Sequence, residues 1–237
     1  MNPLVVVLGV ILVVIILMSL LKSFFSGTTT MVDKVNLLTG PPTDTPAANL
    51  ENPGSPSRTY SIWIYVNAWT SPYNYKMIFG REDDVVLYLD KANSKLKCKI
   101  KPTQEDILNV NGTVNNPTAL NKVIDITNDF PIQKWVFVTV VVDAANIVDY
   151  YIDGKLVKSV KLEEVTPNES KPVKYGSAHD TWIAQFKRLA KTVGPQDVWN
   201  MYAKGNPGSS LSSALGNYNV NMSILKDNAV SSSLSLF

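Results

Sequence analysis

The alternation of hydrophobic and polar positions divides the chain into regions of different character. Residues 3–21 form an unbroken apolar run without a charged side chain, and about 19 helical residues span roughly the 30 Å hydrocarbon core of a bilayer. Short β-branched and aromatic runs follow, separated by turn residues, and the chain ends in a Ser- and Asn-rich tail. The predicted segments are a transmembrane anchor (1–26), a Pro-rich spacer (27–57), a β domain (58–205) and a polar tail (206–237).

The first segment favours an uncleaved single-pass anchor over a cleaved signal peptide. Lys22 is placed to reach the lipid head groups, and Phe24 and Phe25 follow it as aromatic residues for the interface. A signal peptide would have a basic start, a shorter apolar run and a small-residue cleavage site. The anchor residues predicted to contact the bilayer include Leu4, Val10, Ile15, Leu20, Lys22, Phe24 and Phe25.

The charges around the span predict which side of the membrane the β domain occupies. Lys22 and Lys34 follow the span, and no Lys or Arg precedes it. The positive-inside tendency therefore places the domain on the cytosolic side. A lone cysteine, Cys98, agrees with a reducing compartment. Three N-glycosylation triplets favour the opposite side, but such triplets arise easily by chance in so Asn-rich a chain.

The spacer is expected to be a tether that holds the domain away from the membrane. Val32, Val35 and Leu37 are consistent with one short strand, and residues 40–57 contain five prolines. Proline at this density favours extended chain without regular pairing.

The β domain is predicted to be an antiparallel sandwich. Tyr60–Val66 and Trp135–Val142 are rich in β-branched and aromatic residues. Asp153 and Gly154 between two further runs predict a two-residue hairpin turn, because both turn positions have positive φ. Only residues 195–204, with proline in the first turn, indicate a helix. Many short strands with one short helix are typical of a β-sandwich or jelly roll.

Two strands and a hairpin resemble the laminin G-like domains of the concanavalin A-like lectin superfamily. The resemblance lies in Tyr60-Ser-Ile-Trp63-Ile-Tyr-Val66, in Gln133-Lys-Trp135-Val-Phe-Val138-Thr-Val140-Val-Val-Asp143, and in Tyr150-Tyr-Ile152-Asp153-Gly154-Lys-Leu156-Val157. It covers roughly residues 60–205 and implies a jelly-roll fold. Phe137 stands where the family commonly has histidine, and Gln185 where an acidic residue is expected, so the family's polar network is altered. Because such folds serve lectins, glycosidases, adhesion modules and scaffolds, the resemblance assigns no function.

Composition and motif spacing argue against several function classes. The chain has 22 Lys and Arg against 20 Asp and Glu, a balance too even for a nucleic-acid partner to be expected. One His and one Cys leave too few groups for zinc or Cys/His nucleophile chemistry. Glu82-Asp83-Asp84 and Glu163-Glu164 resemble solvated turns rather than a glycosidase carboxylate pair, and His179 lies in a loop-like stretch where exposure is usual. We therefore expect no enzyme, no catalytic residue and no cofactor.

Oxygen donors near one strand connection leave a metal site as the less favoured of two interpretations. They are Asp83, Asp84, Asp90 and Asn93. Loops with such donors hold calcium in related folds, but Asp and Asn are also ordinary turn residues. We prefer the turn interpretation and expect no metal.

An aromatic stretch is the candidate interaction surface. Trp69, Tyr73 and Tyr75 could stack against a sugar or pack on a neighbouring protein, since both kinds of site use Trp and Tyr. Ile62–Val66 and Val136–Val142 are apolar at nearly every position, so both faces of these strands require cover. A loop of the same domain or another subunit would provide that cover.

These features together predict a membrane-anchored structural protein. The order of anchor, spacer, lectin-like sandwich and tail is similar to that of minor capsid proteins of large icosahedral DNA viruses with an internal membrane. The resemblance implies a virion location between membrane and capsid, with the lipid bilayer and other capsid proteins as partners. The cytosolic orientation agrees, because the outward face of a membrane taken from the endoplasmic reticulum is its cytosolic face. The alternative is a membrane-anchored carbohydrate-binding or adhesion module, although no sequence feature supports a particular glycan.

Overall fold

The computed structural model describes most of the β domain and the segment that precedes it. The described residues are 16, 27–40, 44–69, 75–101, 113–114, 123–162, 169–176, 179–206, 221–226 and 229–235. The predicted anchor residues Leu4, Val10, Ile15, Leu20, Lys22, Phe24 and Phe25 lie outside these ranges, as do Tyr73 and Glu163-Glu164. Within the described part of the chain, no helix combines the length and apolar character that a bilayer span requires.

Two antiparallel sheets form a sandwich, which confirms the predicted antiparallel β-sandwich. The first sheet contains, in spatial order, β1 (Thr28–Asn36), β12 (Thr181–Leu189), β2 (Arg58–Val66), β8 (Trp135–Val142), β9 (Ile147–Ile152) and β10 (Lys155–Lys161). The second contains β11 (Val173–Tyr175), β3 (Tyr75–Arg81), β4 (Val85–Leu89), β5 (Leu96–Ile100) and β7 (Val123–Thr127), with β6 (Thr113–Val114) paired to β3. In the tail, β13 (Asn221–Lys226) and β14 (Ala229–Ser235) pair with each other.

The core lies between the two sheets and follows the alternation of side chains along each strand. In β2, Tyr60, Ile62 and Ile64 belong to this core, whereas Trp63 lies on the outer face with Phe137 of β8. Residues 136–142 are buried at every position. Both faces of the central strands are therefore covered within the domain, as one of the two interpretations of their apolar sequence required.

The cover on the outer face of the first sheet is the helix α1 (Pro195–Ala203), which confirms the predicted helix. Val198 of α1 is fully buried in the outer cluster, and the Tyr202 ring stacks on Trp63 with ring centroids 5.8 Å apart. At the amino end, the Asp197 carboxylate accepts a hydrogen bond from the backbone N–H of Gly194 at 3.3 Å. An acidic group in the first turn interacts favourably with the helix dipole.

The predicted hairpin turn joins β9 and β10 and also contacts α1. Asp153 and Gly154 have φ values of 49° and 78°, so both adopt the left-handed conformation that this turn demands. A Cβ atom on Gly154 would lie 2.8 Å from a ring carbon of Trp199. Glycine is therefore required here both by the backbone and by the close approach of the helix.

The segment predicted as a spacer belongs to the sandwich, which corrects the expectation of a tether. β1 pairs with β12 from Thr28 opposite Leu189 to Asn36 opposite Trp182, and Leu50 is buried. The proline-rich chain that follows β1 forms no long strand, as expected, but it packs along the domain instead of extending away. Its carbonyl groups serve as acceptors for buried arginines, a use that proline permits because only its N–H is lost.

Candidate functional site

The predicted aromatic surface is built around a buried lysine that the sequence analysis missed. Lys76 of β3 is only 1% exposed, and its Nζ lies 4.0 Å from the centroid of the Trp69 ring. The same ammonium donates to the carbonyl of Lys91 at 3.4 Å. Burial lowers the pKa of Lys76 to about 8, against the opposing effect of the Asp90 carboxylate. A desolvated cation over an aromatic face contributes on the order of 2 kcal/mol.

Trp69 covers this lysine, and Tyr75 precedes it on β3. Both aromatic residues are half-buried. The Tyr75 ring meets Tyr88 edge-on with centroids 5.6 Å apart, and the Nζ of Lys91 lies 5.6 Å from its centroid. The part of these rings that remains exposed is the candidate contact area, whereas the rest stabilises the edge of the second sheet.

A second candidate site is a pocket between α1 and the outer face of the first sheet, with a volume of about 260 Å³. Its apolar lining includes Phe137, Leu189, Val193 and Met201. The polar lining includes Ser61, Gln185, Asp197, Lys187, Lys191 and Lys204. We call it the α1 pocket. Three lysines against one carboxylate give it a positive formal charge, and the mixed lining suits a ligand with an anionic and an apolar part.

Gln185 enters the lining of the α1 pocket through an irregularity in β12. The register of β12 against β2 shifts between Ala184 and Lys187, and Gln185 has a φ of 45°. A bulge of this kind redirects a side chain out of the regular alternation. The left-handed conformation costs a non-glycine residue roughly 1 kcal/mol and is concentrated at binding sites. The position was singled out in the sequence as a departure from the family pattern, and here it lines a pocket.

Two buried polar atoms lie on the same outer face as the pocket floor. Trp63 Nε1 and Thr139 Oγ1 have no hydrogen-bond partner among the described residues, and Thr139 stands directly opposite Ser61 in the ladder between β2 and β8. A buried polar group without a partner costs about 1–3 kcal/mol. The face that forms the pocket floor therefore carries polar groups whose hydrogen bonds the described residues do not satisfy.

Asp84 is not part of a solvated turn, which corrects the expectation for Glu82-Asp83-Asp84. Its carboxylate is fully buried and accepts hydrogen bonds from Arg58 Nε at 2.7 Å and from the Tyr60 hydroxyl at 2.7 Å. Arg81 Nη1 lies 3.6 Å away. Burial alone would raise the pKa of Asp84, but the charge and hydrogen bonds of Arg58 and Tyr60 hold it below its ordinary value.

Three fully buried arginines lie at this end of the sandwich, and backbone carbonyls accept hydrogen bonds from them. They are Arg58, Arg81 and Arg188. Arg81 donates to the carbonyl of Pro53 at 2.8 Å, and Arg188 donates to that of Glu51 at 2.7 Å. The cluster therefore explains why the proline-rich segment is held on the domain. It is a structural centre, since each arginine donates to groups of the same chain, although Arg188 Nε has no hydrogen-bond partner among the described residues.

His179 is buried as well, which corrects the expectation of an exposed loop histidine. Its side chain is 1% exposed. Because a carbonyl only accepts, Nε2 donates to Met77 O at 2.6 Å, and Nδ1 then accepts from the Thr181 hydroxyl at 2.8 Å. Burial lowers the pKa of His179 to about 4. The neutral ring connects β3 of the second sheet to the start of β12 in the first.

The oxygen donors considered for calcium are engaged in other contacts. Asp90 pairs with Lys97 at 2.6 Å and accepts the backbone N–H of Ala92 at 3.1 Å. Asn93 accepts the N–H of Lys95 at 3.3 Å. Over the described ranges, no three His, Cys, Asp or Glu side chains gather in a way that could hold a metal ion.

The two-sheet topology, the Asp-Gly hairpin and the helix packed on the outer face define a lectin-like β-sandwich. The sequence profile of the concanavalin A-like lectin/glucanases superfamily matches residues 41–187. This chain belongs to that superfamily.

Individual relatives share the fold at low identity. Botulinum neurotoxin type C of Clostridium botulinum C phage is 26% identical over an alignment of 159 residues that covers 60% of this chain and 12% of the toxin. The binding domain of botulinum neurotoxin DC in complex with rat synaptotagmin II superposes with a TM-score of 0.51 at 18% identity, over 75% of this chain and 46% of that one. The serotype D/C VPI 5993 binding domain gives a TM-score of 0.50 at 18% identity and the same coverage. The chain thus spans less than half the length of these proteins.

Proposed function

We propose that this chain is a membrane-anchored, non-enzymatic structural protein whose lectin-like sandwich holds partner proteins at a membrane. One observation carries the proposal. The first sheet begins at Thr28, two residues after the predicted anchor ends, and Gly27 O accepts the N–H of Ala190 at 2.7 Å. An anchor joined to a six-stranded sheet without a free linker sets the domain at a fixed height above the bilayer, which suits a spacer between two layers.

At the finer level, we propose that the second layer is a viral capsid shell and that the chain is a minor capsid protein. The order of segments supports this role, and so does the cytosolic orientation inferred from Lys22 and Lys34. The strands β13 and β14 of the tail form a sheet of their own. A tail with its own hairpin offers shell proteins an attachment point distinct from the sandwich.

Protease protection of sealed microsomes that contain the full chain tests anchoring and orientation together. We expect externally added protease to cleave the domain, and alkaline carbonate to leave the uncut chain in the membrane pellet. Val10→Lys combined with Ile15→Lys is expected to release the chain, because each charge at the centre of a span costs about 3 kcal/mol. A domain that is cut only after detergent overturns the orientation, and a wild-type chain released by carbonate overturns the anchor. Cofractionation with detergent-stripped capsid shells then tests the capsid role.

A second candidate function, carbohydrate binding, is favoured by two half-buried aromatic rings, Trp69 over Lys76 and Tyr75 beside Lys91. The full chain in neutral detergent can be applied to a glycan array together with two Trp→Ala variants. Under this alternative, Trp69→Ala loses glycan binding, whereas Trp199→Ala keeps it. Trp199 is the matched control because its side chain is 44% exposed and it lies on α1, away from the second sheet that holds Tyr75 and Lys76. No retained glycan, or equal loss in both variants, counts against the carbohydrate candidate.

A further inference from the structure

We infer that the α1 pocket binds the phosphorylated head group of an anionic phospholipid in the membrane that carries the anchor. The inference rests on the proposed function, because it requires the chain to leave the bilayer next to residue 27. It goes further by naming a lipid class and the side chains that select it.

The position of the pocket is the first argument. Thr28, the first residue of β1, lines it, and the predicted anchor ends at residue 26. Two extended residues cover about 7 Å, and the polar head-group layer on each side of a bilayer is roughly 5–7 Å thick. The mouth beside Thr28 therefore stands at the depth of the lipid phosphates.

The side chains around the pocket supply the second argument. Lys187, Lys191 and Lys204 all line the pocket, and the ammonium group of lysine binds phosphate through charge-assisted hydrogen bonds. The Asp197 carboxylate also lines the pocket, but it accepts the N–H of Gly194 at the start of α1. Three positive charges outnumber the one negative charge of Asp197. The pocket therefore favours an anionic head group over a zwitterionic one.

The remaining lining matches the rest of a phospholipid head group. Ser61 and Gln185 offer a hydroxyl and an amide, which suit phosphate oxygens or head-group hydroxyls. Leu189, Val193 and Met201 provide an apolar wall for the glycerol carbons and the first methylenes of the acyl chains. The register shift around Gln185 agrees with this role, because a bulge redirects a side chain and Gln185 lines the pocket.

Short-chain lipids added to the full chain in neutral detergent test the inference. Dioctanoyl phosphatidylglycerol and dioctanoyl phosphatidylcholine have the same acyl chains, and glycerol phosphate supplies the phosphate without them. We expect the phosphatidylglycerol to raise the unfolding temperature saturably, the phosphatidylcholine to have no saturable effect, and glycerol phosphate to bind more weakly. Equal responses to the two lipids overturn the inference, and glycerol phosphate binding as tightly as the lipid changes the ligand to a free phosphate compound.

Two matched triple variants locate the effect. Lys187→Gln, Lys191→Gln and Lys204→Gln together should weaken phosphatidylglycerol binding about 100-fold, since each lysine near an anionic surface contributes roughly fivefold. Lys91→Gln, Lys95→Gln and Lys97→Gln remove the same charge around the turn between β4 and β5, at the end of the sandwich opposite Gly27. They should leave the affinity within about twofold, because charges separated by more than a Debye length of roughly 8 Å are largely screened. Equal losses in both variants assign the effect to net charge and overturn the site.

A variant that fills the pocket keeps the inference testable if the triple variant folds poorly. Val193→Trp retains every charge and should abolish saturable binding, whereas unchanged binding overturns the pocket as the site. Carbonate extraction separates the inference from the proposed function. An anchored chain that does not distinguish the two lipids contradicts only the head-group site, and a selective chain that carbonate releases contradicts only the anchor.

Discussion

The Asp84 carboxylate faces Arg58 and Arg81 and accepts a hydrogen bond from a tyrosine hydroxyl. Asp84→Asn keeps the size of the side chain but removes the charge that faces Arg58 and Arg81. Breaking a buried ion pair from one side costs about 3–5 kcal/mol, because it leaves the partner charge uncompensated. Urea unfolding of the full chain in neutral detergent, followed by tryptophan fluorescence, should show a loss of this size.

The preceding residue provides the control for Asp84. Asp83 has a φ of 61°, a conformation that asparagine tolerates well. Asp83→Asn makes the same chemical change one residue earlier and should alter the free energy of unfolding by less than about 0.5 kcal/mol. Similar losses in the two variants would mean that the turn, rather than the buried ion pair, carries the stability.

His179 predicts a pH dependence of stability with a definite sign. Burial lowers its pKa in the folded protein to about 4, and the nearby charge of Lys76 acts in the same direction. Its ordinary value is 6.5, so the unfolded chain binds the extra proton first as the pH falls. The stability conferred by the neutral ring is complete above pH 6.5 and is lost progressively towards pH 4, with a total loss of about 3 kcal/mol.

Comparison with a variant isolates this effect. The chain has one histidine, so the difference in unfolding free energy between wild type and His179→Gln removes the contribution of the carboxylates. That difference should change with pH between 6.5 and 4 and be constant above pH 7. A difference that does not vary with pH would mean that folding leaves the pKa of His179 unchanged.

The residues that sequence analysis placed wrongly are polar side chains buried by partners distant in sequence. Asp84 follows a charged turn and looks solvated, yet its arginine partner is Arg58 at the start of another strand. Lys76 gave no signal except its position near Trp69 and Tyr75. Local patterns indicate the turn or strand that holds a side chain, but its burial depends on which strands pair, and a single sequence does not supply that.

Among the elements, the β9–β10 hairpin joins sheet and helix through one glycine. Gly154→Ala places a Cβ 2.8 Å from the Trp199 ring at a φ of 78°. The left-handed backbone costs about 1 kcal/mol for alanine, and displacement of the helix adds to it. We expect a loss of about 2 kcal/mol in the free energy of unfolding.

A matched glycine separates this strain from the general effect of the substitution. A Cβ on Gly40 would meet nothing within 4 Å, and its φ is not in the left-handed region, so Gly40→Ala should be neutral or slightly stabilising. Denaturant titration of both variants checks the prediction. An equal loss in both variants would show that the helix contact contributes little.

The elements also show where sequence patterns are sufficient. The hairpin and α1 follow from local chemistry, because turn glycines and a first-turn proline act within a few residues. β1 was predicted only as a short strand inside a tether, since its partner β12 lies about 150 residues later. The bulge at Gln185 was invisible for the same reason. It exists only relative to the neighbouring strands.

For the whole molecule, the resemblance to the superfamily predicts the sandwich correctly. The Trp-bearing strand packs under α1, and the Asp-Gly turn joins β9 to β10, so both motifs are part of the fold. The α1 pocket was not predicted, since its lining comes from β1, β2, β8, β12 and α1 together. The proposed anchor and the sheet meet at residues 26–27. The distance of each end of the sandwich from the membrane is therefore the quantity that links fold to proposed function.

That distance can be measured with two single-site labels. Ala145 lies in the turn between β8 and β9, at the end of the first sheet that contains Gly27, and Ala92 lies in the turn between β4 and β5, at the opposite end. Both alanines are exposed. Cys98 is fully buried, and burial raises its thiol pKa to about 12, so a thiol dye should react only with Ala145→Cys or Ala92→Cys.

Energy transfer from these labels to a head-group dye in vesicles distinguishes a fixed domain from a tethered one. We expect clearly stronger transfer from position 145 than from position 92, because even a five-residue strand separates the two turns by about 16 Å. Ten Gly/Ser residues inserted between 26 and 27 should reduce this difference, whereas the same insertion after Gly40 should preserve it, since β1 then remains joined directly to the anchor. Equal transfer from both positions in the unmodified chain would contradict the direct connection. The sandwich would then be tethered, as the proline-rich sequence first suggested.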